Sequence, residues 1–180
     1  MRLKPVLFFL IVGSLATYIA VKQYQLGDGG VIRIGQIAPE FTISDPNGKP
    51  VKLSDFRGKL VFLNLWASWC IPCAQEMPDL EVINKTFKDR PFQMLAVSSD
   101  AQPEDAAAFY KKHNLTMPWF ADPGRRIADR YHITGYPETF IIDRNGHIIR
   151  HYPWPVITRI MSEIEGYLRD QEVDQNAAVH

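Results

Sequence analysis

The chain has 180 residues, 46% of them apolar and 22% charged, and its 20 basic and 20 acidic side chains give a formal net charge of zero. That length suffices for one domain with a sizeable core plus a short addition. Zero net charge, with Lys and Arg scattered rather than set in a stripe among aromatics, leaves no electrostatic case for nucleic acid or an anionic surface as partner. Two cysteines exclude the multi-disulfide framework of small secreted domains.

Arg2 and Lys4 precede an uncharged run from Pro5 to Val21, closed by Lys22. Seventeen residues make roughly 25 Å of helix, near the lower limit for a bilayer core. The basic N-terminal flank predicts that this end stays in the cytoplasm and the remainder lies outside. Ser14-Leu15-Ala16 also fits a small-x-small cleavage site, so residues 1–22 read as a membrane anchor or a removed signal peptide. A third reading is a buried helix of the domain itself. The anchor is favoured because the apolar run continues through Ile19, Ala20 and Val21, where a cleaved peptide usually turns polar.

Residues 23–37 are polar and glycine-rich, as a linker or weak first strand would be. The domain is expected from Ala38 to about residue 169. Phe41–Ser44 and Val51–Leu53 alternate around the turn signal Asp45-Pro46-Asn47-Gly48-Lys49, which predicts a hairpin. Ser54 or Asp55 then caps a short turn ending near Gly58. Lys59–Leu65 has the length and apolarity of a central strand buried on both faces. From Cys70 onward, Met77, Leu80, Ile83 and Phe87 recur at helical spacing, with Pro78 expected to kink the helix.

Phe92–Ser98 reads as a second buried strand. Pro103, Glu104 and Asp105 open a helix that Lys111, Lys112 and Asn114 close. A short strand is expected near Thr116–Phe120, then a helix capped by Asp122 with Pro123 at its first position and Ile127, Ala128 and Tyr131 buried. Thr139–Ile142 and His147–Arg150 flank Asp143-Arg144-Asn145-Gly146, a hairpin signal. A last helix is expected from Pro155 to Leu168, with Gln171–His180 as a disordered tail. Alternating strands and helices that finish in a hairpin and helix imply an α/β fold, with a mixed central sheet and helices on both faces.

The two cysteines, Cys70 and Cys73, stand two residues apart where the apolar strand meets the helix. A sulfur in the first turn of a helix lies beside unpaired N–H groups and the positive end of the dipole, which favours thiolate. Cys70 gains most, because Cys73 lies a turn deeper. Cys70 is therefore the expected nucleophile toward a partner disulfide, and Cys73 the thiol that resolves the mixed disulfide. Glu76, three residues further on, is the nearest acid able to take the proton of Cys73. It reads equally well as a solvated first-turn acid that complements the dipole. A zinc site would need two more ligands, and the five histidines are dispersed. A purely structural disulfide would close too small a loop to add much stability. No metal or cofactor is implied.

Trp66-Ala67-Ser68-Trp69-Cys70-Ile71-Pro72-Cys73, followed by Pro78, resembles the strand–helix junction of the thioredoxin fold. Ala38-Pro39-Glu40-Phe41, Gly48-Lys49-Pro50-Val51, Leu53-Ser54-Asp55-Phe56-Arg57-Gly58-Lys59 and Asn64 resemble its membrane-anchored, extracytoplasmic branch. That branch holds the thiol–disulfide oxidoreductases of TlpA, ResA and DsbE (CcmG) type. The likeness covers Ala38 to Leu168. It implies a thioredoxin fold with an N-terminal hairpin and a central βα insertion.

It also implies that Gly135-Tyr136-Pro137-Glu138-Thr139-Phe140 carries a cis-proline, Pro137, facing the cysteines; from the residues alone a trans proline at a strand start fits as well. Trp69, Ile71, Pro72, Tyr136 and Pro137 then meet the substrate. Asn64 stands where thioredoxin has a buried aspartate, whereas ResA-like members carry a glutamate at the place of Glu76, which implies an acid–base role there. Ile71-Pro72 lacks the histidine of strongly oxidising relatives, which favours a reductant.

The implied partners are protein disulfides, apocytochrome c or its maturation factors first, and a membrane electron donor. The implied place is the bacterial cytoplasmic membrane, single-pass through residues 5–21, with the domain facing the periplasm or cell exterior as a monomer. Alternatives are a general disulfide oxidase or isomerase and a Cu(I)-binding chaperone module, although copper relatives use wider cysteine spacing and a histidine. A peroxidase would need a proline and a threonine or serine upstream of its nucleophile, which Trp66-Ala67-Ser68-Trp69 does not provide.

Overall fold

Seven consecutive residues without an exposed side chain, Leu60–Trp66, form the central strand β3 of the computed structural model. The structure describes residues 17–18, 31–156 and 160–177, so the N-terminal segment 5–21 lies outside them except for Thr17 and Tyr18. Among the described residues no helix is long and apolar enough to cross a membrane. The chain divides into compact units 1–32 and 33–180.

The second unit opens with an antiparallel pair, β1 (Thr42–Ser44) and β2 (Pro50–Lys52), and a 3-10 turn at Leu53–Phe56. Then follow β3, α1 (Ile71–Phe87), β4 (Phe92–Ser98), α2 (Pro103–His113) and β5 (Trp119–Ala121). The chain continues with α3 (Arg126–Arg130), β6 (Glu138–Ile142), β7 (Ile148–Tyr152) and α4 (Met161–Ala177). The main sheet has the order β5-β4-β3-β6-β7. β3 runs parallel to β4, and β4 to β5, whereas β6 is antiparallel to both β3 and β7. This is the expected mixed sheet of a thioredoxin-like fold, with α2 and β5 as the central insertion and a separate two-stranded sheet at the N-terminal side.

Side chains alternate across a strand, so Leu60, Phe62, Asn64 and Trp66 share one face of β3. Leu60, Phe62 and Trp66 join a core cluster with Met77, Leu80 and Phe87 of α1, Phe109 of α2 and Ile164 and Leu168 of α4. On the other side, Tyr131 stacks edge-on against both Phe41 and Phe140. Asn64 is the single polar residue in β3, and it is fully buried.

Several boundaries differ from expectation for local reasons. Residues ahead of Ala38 already pair with the β7 hairpin, through Gly35 N–H to Ile148 O at 2.7 Å and Ile148 N–H to Gln36 O at 2.9 Å. Asp55 closes the 3-10 turn from its third position by accepting the Lys52 N–H at 2.8 Å, so the cap residue is Lys52 rather than Ser54 or Asp55. β5 begins at Trp119 rather than near Thr116, because Glu81 takes the N–H groups of Thr116 and Met117 at 2.9 and 3.0 Å and Pro118 has none to offer. Asp122 does cap α3, accepting from Ile127 and Ala128 at 2.9 and 3.2 Å, but residues 122–125 form a turn and the helix starts at Arg126. The last helix starts at Met161 rather than Pro155 and runs on to Ala177, past both Leu168 and the start of the expected tail; Ile157 lies outside the described residues. Asn114 ends α2 in the left-handed conformation at φ 52°, as expected of a C-terminal cap.

Glu81 also binds the Thr116 hydroxyl and pairs with Lys85 at 3.1 Å, fastening α1 to the segment before β5. Burial raises its pKa, but the hydrogen bonds from Thr116, Met117 and Lys85 outweigh that and hold the carboxyl below its ordinary value. The stabilisation is therefore present above the usual carboxylate range and fades as the pH falls through it. Glu81→Ala leaves the buried Met117 N–H unpaired and is expected to cost about 1–3 kcal/mol at neutral pH, read by urea titration, with the deficit shrinking in acid.

Candidate active site

The junction after β3 is built so that both cysteines are buried but only Cys70 keeps an exposed edge. Asp100, buried beyond the end of β4, accepts hydrogen bonds from the Ser68 N–H at 3.1 Å and its hydroxyl at 2.9 Å. This fastens the loop Ala67–Trp69 before the helix begins. Cys70 is then the N-cap of α1 with Pro72 in the first turn, and its Sγ accepts the Cys73 N–H at 3.1 Å. Cys70 and Cys73 are joined by a disulfide. Cys70 is 5% exposed and Cys73 0%. A sulfur at an N-cap, already hydrogen-bonded by a first-turn N–H, has its thiolate form favoured when the bond is reduced.

One turn beyond Cys73 lies Glu76, 2% exposed. It is not the solvated acid that its place in the first turns of a helix allowed. Asn64 donates from Nδ2 to Glu76 Oε1 at 2.9 Å, and the Val156 N–H donates to Oε2 at 2.7 Å. Asn64 Nδ2 also reaches Thr139 Oγ1 at 3.0 Å, directly across the β3–β6 register. Burial pushes the Glu76 pKa up to about 7, with the Asp79 charge adding to it and the bonds from Val156 and Asn64 opposing it. A carboxyl group poised there can both take and return a proton near neutral pH.

The distant loop arrives as expected. The Tyr136–Pro137 peptide bond is cis, with Pro137 buried at the start of β6. Tyr136 meets Trp69 edge-on at 5.7 Å between ring centroids. Behind the proline, Glu138 Oε2 sits 2.7 Å from His151 Nε2, while Oε1 accepts the Thr134 N–H at 3.4 Å, bracing both ends of the loop. Trp69, Ile71 and Pro72 are exposed, the first two at 66% and 74%. They line a groove of about 490 Å³ together with Cys70 and Tyr136. A larger groove of about 840 Å³ between β1, α2 and α3 contains neither cysteine.

The residues singled out from the sequence therefore fall at one end of the sheet: Cys70, Cys73 and Glu76 at and along the start of α1, Trp69, Ile71, Pro72 and Tyr136 around the groove, and Pro137 buried next to Tyr136. Four further contributors carried no local signal. Val156 acts through its backbone, Asp100 from the loop after β4 and Thr139 from β6. Arg125, whose Nη1 donates to the Tyr136 hydroxyl at 2.5 Å, belongs to a turn read only as a helix start. Thr139 alone was reachable, since pairing Asn64 with β6 sets it opposite. Among the described residues no group of three His, Cys, Asp or Glu gathers to hold a metal ion.

The fold and this arrangement define a thioredoxin-fold protein with a cysteine pair set against a cis-proline loop. The chain belongs to the AhpC/TSA family, whose profile matches residues 34–151. It is 30% identical over 160 residues to the thiol-disulfide oxidoreductase ResA of Bacillus anthracis, covering 89% of this chain and 91% of that one. It is 35% identical over 129 residues to ResA of Bacillus subtilis strain 168, with coverage of 72% and 69%. Among solved structures, a thiol:disulfide interchange protein DsbE from Chlorobium tepidum matches with a TM-score of 0.69 at 31% identity, over 78% of this chain and 98% of that one. StoA from Bacillus subtilis matches with a TM-score of 0.61 at 23% identity over 69% and 95%, a likeness of fold alone. The chain is thus a thiol–disulfide oxidoreductase.

The raised Glu76 pKa makes stability pH-dependent. The folded state holds this proton up to about pH 7 while the unfolded chain releases it near 4.5, so stability falls as pH rises between those values and levels off above them. The difference amounts to about 3 kcal/mol. Glu76→Gln is expected to remove this decline, seen as a flatter profile of unfolding free energy against pH, and a carboxyl NMR titration should lose its component near 7.

Proposed function

We propose that this chain is an exported, membrane-tethered reductase of protein disulfides, with Cys70 as nucleophile, Cys73 as resolving thiol and Glu76 as its acid–base partner. The observation that carries this reading is the unequal burial of the two cysteines, 5% against 0% exposed, with a buried carboxyl group of pKa about 7 one turn further along the same helix. The outer sulfur can meet a macromolecular disulfide and the inner one cannot.

The reduced enzyme begins with the Cys70 thiolate, favoured by the Cys73 N–H and the N-terminus of α1. It attacks one sulfur of the substrate disulfide, forming a mixed disulfide and releasing the second substrate sulfur as thiolate. Cys73 then loses its proton to Glu76 and attacks Cys70 Sγ, re-forming the enzyme disulfide and releasing the first substrate sulfur. Two electrons pass from the enzyme dithiol to the substrate, which leaves as a dithiol. An external dithiol on a membrane electron donor must restore the enzyme. Tyr136, Pro137, Trp69, Ile71 and Pro72 hold the substrate segment against Cys70 during the first step.

The direction rests on Ile71-Pro72, which supplies no cation between the cysteines to stabilise the thiolate further. Apocytochrome c and its maturation factors are the substrates proposed, on the likeness of Gly135-Tyr136-Pro137-Glu138-Thr139-Phe140 to cytochrome c maturation members. Tethering is proposed through residues 5–21, with the 33–180 unit outside the cytoplasm.

Cys73→Ala is expected to accumulate partners as mixed disulfides on Cys70, identified after non-reducing separation, and Cys70→Ser to accumulate none and to lose reductase activity. A fully active Cys70→Ser protein would overturn the mechanism. A midpoint potential as oxidising as that of a dedicated disulfide oxidase would reverse the direction, since about 30 mV corresponds to 1.4 kcal/mol for two electrons.

A further inference from the structure

The groove beside Cys70 is walled by aromatic and aliphatic side chains, and among its described lining residues Arg125 carries the one permanent charge. The guanidinium is placed rather than loose. Its carbon lies 5.3 Å from the centre of the Tyr136 ring, and Nη1 donates to that residue's hydroxyl at 2.5 Å. Its backbone is held at φ 53° by the turn in which the Arg125 N–H donates to Asp122 O at 2.9 Å. A guanidinium has five N–H donors. Besides Tyr136, its partners are distant: Ile133 O at 3.5 Å and the exposed Asp129 at 3.7 Å. An exposed pair of that length is worth little, and donors are left over.

We propose that Arg125 is a specificity-determining residue of this site, selecting substrate segments that carry an aspartate or glutamate beside the cysteine under attack. The inference rests on the reductase reading above and adds the chemistry of the substrate to it. An arginine stays ionised at every relevant pH and offers a fork that matches a carboxylate. The Arg125 side chain is 42% exposed, so a carboxylate brought onto it gains what a partly solvated ion pair gains, most at low salt. A lysine at the same place in the substrate meets repulsion, and a neutral residue meets neither effect. The hydrogen bond to the Tyr136 hydroxyl holds the cation in the groove that Cys70 also lines, so the preference reads the immediate neighbours of the substrate cysteine rather than the net charge of the partner.

The test uses the full chain, reduced with dithiothreitol and freed of it, and three peptides with one internal disulfide that differ only in having Glu, Gln or Lys on both sides of the attacked cysteine. The expected order of kcat/KM is Glu, then Gln, then Lys, with about threefold between the first two, the scale of a partly exposed ion pair. High salt should compress the series. Arg125→Met is expected to bring the Glu-to-Gln ratio near one, and Arg125→Glu to invert the order. Equal rates on all three peptides with the unaltered protein, or an undiminished ratio in Arg125→Met, would overturn the proposal while leaving the reductase reading intact. Reduction of none of the three would sink that reading and this proposal with it. The ratio also separates selection from a merely structural part for Arg125 in holding Tyr136, which would slow all three peptides alike.

Discussion

The antiparallel pairing of β3 with β6 is the constraint on which the site depends. It sets Asn64 opposite Thr139 and Leu65 opposite Glu138, which brings Pro137, next along the chain, to the end of β3 where Cys70 begins its helix. Because side chains alternate, a slip of one residue would turn Asn64 and Thr139 to the other face and take the partner from Glu76. Burial of all seven β3 residues resists that slip. Parallel pairing of β3 with β4 on the other edge places Ser98 and the following Asp100 beside the loop that leads into the cysteines. The sheet thus delivers three segments distant in sequence to one end of one strand.

Within that frame the polar groups are arranged from the outside inward. The Cys70 sulfur is met by a backbone N–H and a helix terminus, which favour negative charge. The Glu76 carboxyl is met by burial, which opposes it. An ionised carboxylate in an apolar core is costly unless hydrogen-bonded, and Asn64 and Val156 supply two donors, enough to keep the proton exchangeable rather than locked on. An aspartate on β3 would have put a charge where Asn64 now donates. With an amide on the strand and the acid on the helix, the buried carboxyl belongs to the element that carries the cysteines.

Much of this was legible in the sequence because it rests on short-range pattern. The C-x-x-C at an apolar strand end, the helical recurrence of Met77, Leu80, Ile83 and Phe87, and the turn Asp143–Gly146 each encode their element within a few residues. The likeness to a known family supplied the cis-proline, which the residues alone left undecided. What escaped was tertiary. Glu81 shortened β5 by capturing the N–H groups of Thr116 and Met117 from 35 residues away. Val156 grips Glu76 by its main chain, which no side-chain pattern can announce. Arg125 reaches Tyr136 across a turn that reads as an ordinary helix start.

The unequal depth of the two sulfurs sets a rule about the shape of the other molecule. In-line attack brings the partner's disulfide onto Cys70 from the groove it lines with Trp69, Ile71, Pro72 and Tyr136, since Cys73 has no exposed surface. A disulfide sealed inside a finished fold cannot travel that distance without unfolding around it. What the enzyme can reach is a bridge on a protruding or extended segment.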